Sequence, residues 1–353
     1  MAFRYWVGGS GTWNTTSTTN WSATSGGAAG ASVPTSVDSV VFDTASAAGS
    51  YTVTISGAVV CAVLNAARAV NLNSVTTTLA TGSGSINAYN SLNITTVGVI
   101  ITGNLNFVST TTSIIKTSGS TIAATTSFNG VGGEWTLSDN STFTNSVLLT
   151  NGTLKLNVYR LTAGAFDSSN SNARTIDFGT SGVLQVTGAG STAFNCATST
   201  NLTVANAVGQ DINMTSASAK TFAGGSKTWP GIWNIGGGAL TITGSNTFNG
   251  TFEASVPAAY VFEAGSTQTF TGTLALRGTS VSGVTINSTV AGTQATLSQA
   301  AGLGFDATYV TIKDSNATGG QTWNATNSID SGNNTGWNIT APFVSNGNML
   351  MFF

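Results

Sequence analysis

Short phrases of the form Gly-Thr/Ala-Leu-x-Leu/Ile return about every 20 residues along this chain, a recurrence that means stacked windings or blades before anything else. Examples are Tyr51-Thr52-Val53-Thr54-Ile55, Gly152-Thr153-Leu154-Lys155-Leu156, Ala239-Leu240-Thr241-Ile242-Thr243 and Thr273-Leu274-Ala275-Leu276. In each, apolar residues alternate with Thr, Ser or Asn, the period of a strand with one covered face. No segment sustains a 3.6-residue apolar period, and only the run Ala62 to Ala69 reads as a helical turn. The breakers are single Gly or Asn residues rather than long loops. Phe returns inside similar phrases, as in Thr126-Ser127-Phe128-Asn129-Gly130 and Asn246-Thr247-Phe248-Asn249-Gly250. Equivalent Phe residues would then stack winding upon winding at the strand spacing of about 4.8 Å. The pattern therefore predicts an all-β fold, a right-handed parallel β-helix (β-solenoid) of about 12 to 15 windings.

Composition supports a folded, charge-poor body. Hydrophobic residues make up 41% of the 353 positions, enough to line a continuous core, and 17 Phe with 8 Trp argue against disorder. Only 6% of residues are charged, whereas ordinary domains reach about a quarter. Solubility must come from hydroxyls and carboxamides, and like charges stacked at strand spacing would repel. The ten basic residues are scattered singly and the net charge is −2, so no footprint for nucleic acid exists. No stretch approaches the length of a membrane span.

The usual catalytic groups are scarce. With no histidine, a Ser or Cys nucleophile lacks its ordinary base. Among the twelve acids, Glu253 with Glu263 and Asp167 with Asp177 are spaced to fall on neighbouring windings, as a glycosidase pair would require. A solenoid brings many such pairs together by chance, so no catalytic residue is assigned and the chain is expected not to be an enzyme. Gly236-Gly237-Gly238 lacks the Gly-Lys-Ser/Thr of a phosphate loop and reads as turn glycine. Asp314-Ser315-Asn316 and Asp330-Ser331-Gly332-Asn333-Asn334 offer oxygen ligands for Ca²⁺, although Asx-capped corners explain them as well. Cys61 and Cys196 have no CxxC partner and read as small buried residues. No cofactor or metal is expected. Trp229, Trp233 and Trp323 are the candidates for stacking on a sugar, with burial in the core or a subunit contact the favoured reading.

Both termini differ from the middle. Residues 1–45 carry Trp6, Trp13, Trp21 and Pro34 and are expected to form a cap or small β subdomain. Residues 46–340 form the solenoid body, and 341–353 an apolar arm. The unpaired strand edges at a solenoid's ends invite aggregation, so the arm's Phe343, Val344, Met349, Leu350, Met351, Phe352 and Phe353 are expected to dock on a neighbouring subunit. The N-terminus shows no secretory h-region, which points to synthesis in a cytoplasm.

The assembled phrases resemble a repeat family found in tailed-bacteriophage genomes and bacterial surface proteins. Its opening is matched by Trp6-Val7-Gly8-Gly9-Ser10-Gly11-Thr12-Trp13, Asn20-Trp21-Ser22 and the run Ala31 to Asp43. Its middle is matched by Phe128 to Leu137 and Leu161 to Ile176, and its end by Gly292 to Ser298, Ile312 to Gly320 and Gly332 to Trp337. The tail from Ala341 lies outside the pattern. The resemblance implies a virion structural protein on a particle's exterior, either capsid decoration (cement) or a spike or tail fibre. It also implies a homotrimer that contacts capsid shell or tail proteins. The alternatives are an adhesin gripping host surface glycan and a depolymerising tailspike.

Overall fold

The computed structural model describes residues 1–66, 76–82, 84–207, 209 and 211–342. Among them there is no helix. The chain winds about 13 times into a parallel β-solenoid, and each full winding contributes strands to three ladders. Lys220 pairs with Leu240 and Leu274 with Phe305, steps of 20 and 31 residues, while the first and last steps, Gly11 to Val53 and Trp323 to Trp337, take 42 and 14.

The first ladder runs from Phe3–Trp6 through Ser39–Phe42, Leu64–Ala66 and Leu92–Ile94 to Leu202–Ala205. A separate five-stranded ladder from Thr228–Trp229 to Ser315–Thr318 follows it. The second starts at Gly11–Trp13 and Tyr51–Ile55 and ends at Trp323–Thr326 and Trp337–Ile339. The third starts at Ala58–Cys61 and ends at Ile329–Asp330. Thr121–Leu137 and Ser141–Lys155 are long enough to contribute to all three, bending where their mutual register shifts beside Asn129.

Strict alternation builds this shape. In Tyr51–Ile55 the side chains of Tyr51, Val53 and Ile55 enter the lumen while Thr52 and Thr54 face out. The inward set includes an aromatic column in which Phe166, Phe194, Phe222, Phe248 and Phe270 follow one another, with ring centroids 5.6, 4.4, 6.0 and 5.7 Å apart. Outside, amide side chains stack: Asn93 donates to Asn65, Asn106 to Asn87 and Asn151 to Asn129, at 3.1, 2.8 and 2.7 Å. The four ion pairs among the described residues alternate in sign along the stack. Lys155 lies between Glu134 and Asp177, and Arg277 between Glu253 and Asp306.

The predicted helical turn is corrected over its described part. Leu64–Ala66 is a strand, because Leu64 and Ala66 fill the lumen while Asn65 joins the amide stack; residues 67–69 lie outside the described residues. Segment 1–45 stacks on the first full winding through Phe3–Trp6 and Gly11–Trp13, and Trp21–Ser22 adds an antiparallel pair. Trp6, Trp13 and Trp21 pack edge-on at 5.0 and 5.2 Å beside Phe42. Phe305, Trp323 and Trp337 form a similar cluster near the other end, at 5.0 and 4.9 Å. Cys61 and Cys196 are both free and buried. The docking residues Phe343, Val344, Met349, Leu350, Met351, Phe352 and Phe353 lie outside the described residues.

Candidate functional site

Two of the three tryptophans read as sugar-stacking candidates are core residues, which corrects that expectation. Trp229 is wholly buried, edge-on to Phe194 and Phe222, and its indole N–H donates to the Gly224 carbonyl at 3.0 Å. Trp323 is 3% exposed, closes the aromatic cluster near the C-terminal end and donates to the Thr318 carbonyl. Both indoles fall at inward positions of their strands, where no ligand reaches them.

Trp233 is the exception, 39% exposed. In Gly231–Trp233 the alternation sends Ile232 into the lumen and Trp233 out. Ladder register then places it in an outward row, Asn213–Trp233–Glu253–Ala275–Asp306. Two residues along from Ala275, Arg277 reaches both acids. Its Nη1 lies 3.6 Å from Glu253 and its Nε donates to Asp306 at 2.7 Å. That bond to Asp306 holds the guanidinium above its ordinary pKa, against the opposing effect of burial. Thr308 donates to the other Asp306 oxygen at 2.9 Å. Along the same strand as Asn213, burial pushes the Asp211 carboxyl above its ordinary pKa.

From Trp233 to Asp306 the row spans three ladder steps, about 14 Å at ordinary strand spacing. At its far end Asp306, Gln321, Thr322, Asn324 and Thr326 line an open polar hollow of about 260 Å³. An exposed ring, a fixed guanidinium, two carboxylates and a run of amides and hydroxyls match the requirements of a saccharide. The ring covers the apolar face of a pyranose, and the polar groups address its hydroxyls.

The carboxylate pairs singled out by spacing do not converge. Glu253 belongs to the second ladder, whereas Glu263 follows a strand of the third and accepts the Gly244 N–H at 2.6 Å. Asp167 accepts from Ser169 and Asn195, while Asp177 lies on the first ladder and accepts from Gly179 and Asn206. The oxygen-rich corners are internally bonded. Asp314 accepts Asn333 Nδ2 at 2.7 Å, which draws its carboxyl below the ordinary range. Asp330 accepts Gly332 N–H and Asn334 Nδ2, and Asn334 accepts the Ser315 N–H. Among the described residues no three Asp, Glu or Cys side chains gather as a metal site would require.

Arg277 and Asp306 were absent from the residues picked out by sequence. Their signal lies in winding length: Glu253 and Asp306 are neighbours only once spacings of 22 and 31 residues are known for that face. No known protein family, curated protein or solved structure matches the chain.

Proposed function

We propose that the chain is a non-enzymatic structural protein on the exterior of a tailed bacteriophage, decorating or cementing the capsid or forming a spike or fibre. Its action in this reading is geometric. Ladders spanning about 13 windings and a continuous apolar lumen make a stiff body that needs no charge for cohesion, and this is the observation that carries the reading. Supporting it is the resemblance of the phrases at Trp6–Trp13, Ala31–Asp43 and Ile312–Gly320 to those of virion and surface proteins. In this reading the chain acts as a homotrimer, and the apolar residues 343–353 dock on a neighbouring subunit, the shell or the tail. The test is removal of residues 341–353, followed by sedimentation and particle-attachment assays. Monomerisation or loss of attachment supports the proposal; unchanged assembly with lost glycan binding overturns it.

A second reading, an adhesin for host glycan, rests on Trp233 and its row. It shares the rod but places the work on the second ladder's outer surface. Retention of the chain on a panel of immobilised host polysaccharides tests it, with fragment release as the separate sign of a depolymerising spike.

A further inference from the structure

Lys220 is a buried cation without a carboxylate. It is 2% exposed, and the register fills its position with Leu240 and Tyr260 in the next two windings, so its stem points into the lumen. Its ammonium donates to the carbonyls of Ser216 at 2.7 Å and Gly238 at 3.2 Å, which uses two of its three protons. Buried Arg174 is treated differently, with its guanidinium donating to Ser168, Asn172, Thr198 and Thr200. Beside Lys220, one winding on, stands Asn234, also 2% exposed. Its amide nitrogen donates to the same Gly238 carbonyl at 2.9 Å, and its carbonyl oxygen has no donor. The Tyr260 ring closes the group, its hydroxyl beside Asn234 and donating to the Val256 carbonyl.

A primary amine and a carboxamide thus share one carbonyl in a dry corner, and each leaves hydrogen-bonding capacity unmet. We propose that Lys220 and Asn234 are joined by an intramolecular isopeptide bond. The neutral amine attacks Cγ of Asn234, forming Nζ–Cγ; the Cγ–Nδ2 bond breaks, and Nδ2 takes a proton from Nζ and leaves as ammonia. No oxidant or second substrate is consumed. Burial lowers the Lys220 pKa to about 8, which makes the unprotonated nucleophile available near neutral pH. The product removes a buried charge that no carboxylate balances, and its remaining N–H retains the bond to Ser216. The bond would tie one winding covalently to the next.

Intact-mass measurement of the purified full chain, held at pH 9 so that the amine is neutral, reads the outcome directly. The expected mass is one ammonia short of the sequence, and a protease digest yields a branched peptide joining positions 220 and 234. Lys220→Arg and Asn234→Ala each restore the full mass expected for their own sequence. A full-length mass with linear peptides at both positions overturns the proposal. So does an ammonia deficit without the branched peptide, since the loss then occurred elsewhere.

Discussion

Trp229 and Trp233 stand four positions apart and have opposite fates: one indole sits inside the aromatic column and the other lies on the rod's surface. Removing Trp229 as Trp229→Ala is expected to cost about 3–5 kcal/mol, the range for a large buried aromatic, read by denaturant unfolding. Trp233→Ala is expected to cost about 1 kcal/mol or less. In the adhesin reading it nonetheless abolishes glycan retention, and unchanged retention would remove that face from consideration. Titration is governed by other residues. Burial pushes Cys61 up to about 12 and raises Cys196 too, while burial lowers Lys220 to about 8. Both thiols stay protonated when folded but ionise when unfolded near 9, so each withdraws stability as pH rises above that value. Lys220 acts oppositely, its unfolded form holding a proton that the folded form has lost between about 8 and 10.5, so it adds stability there. Two thiols against one amine leave a net loss of stability between about pH 9 and 10.5. Stability is therefore expected to peak between pH 8 and 9. Cys61→Ala/Cys196→Ala should abolish the decline between pH 9 and 10, measured as the denaturation midpoint against pH. The peak belongs to the chain with a free amine; in the chain carrying the Lys220–Asn234 amide the rise above pH 8 is absent and the thiols' decline above pH 9 is steeper.

At the scale of the winding, the outward rows and the corners set register. Gly179 shows what a corner demands. Its φ is +63°, and an added Cβ would run into the Asn157 backbone of the previous winding. Gly179→Ala is therefore expected to cost more than 1 kcal/mol, from backbone strain and the displaced neighbour together. Gly265→Ala, at φ +73° with open space around the added carbon, should cost less, and thermal unfolding of the two variants separates strain from collision. The strands themselves were legible from sequence because alternation survives in the short phrases, as Tyr51–Ile55 shows. The misread run from Ala62 to Ala69 holds four alanines, and such a run looks helical by propensity alone. The Trp233 row was half legible. Trp233 itself was singled out, but its neighbours depend on steps that along this row alone take 20, 22 and 31 residues, which no fixed repeat discloses. For Trp229 and Trp323 burial is already the favoured reading from sequence, and the lumen holds both; of the three only Trp233, one phase step away, faces solvent.

Taken whole, the molecule is close to one-dimensional: each winding packs mainly on the two beside it, and aromatic clusters stand near Trp6 and near Trp337. Stability in such a stack is approximately a sum over windings and their interfaces. Amide hydrogen exchange is accordingly expected to be slowest in the central ladders around Thr121–Asp167 and to quicken toward both ends; two separately protected blocks would show independent domains. With four exposed or half-exposed ion pairs among the described residues, the denaturation midpoint should hardly move between low and high salt. A rod held by backbone ladders and a greasy lumen suits a component that must survive outside a cell. Electron microscopy of purified, intact phage particles labelled with antibody to this chain tests that claim most directly. The account requires label on the outer surface of intact heads or tails, at regularly repeated positions. Label confined to disrupted particles or to the host cell envelope would contradict it.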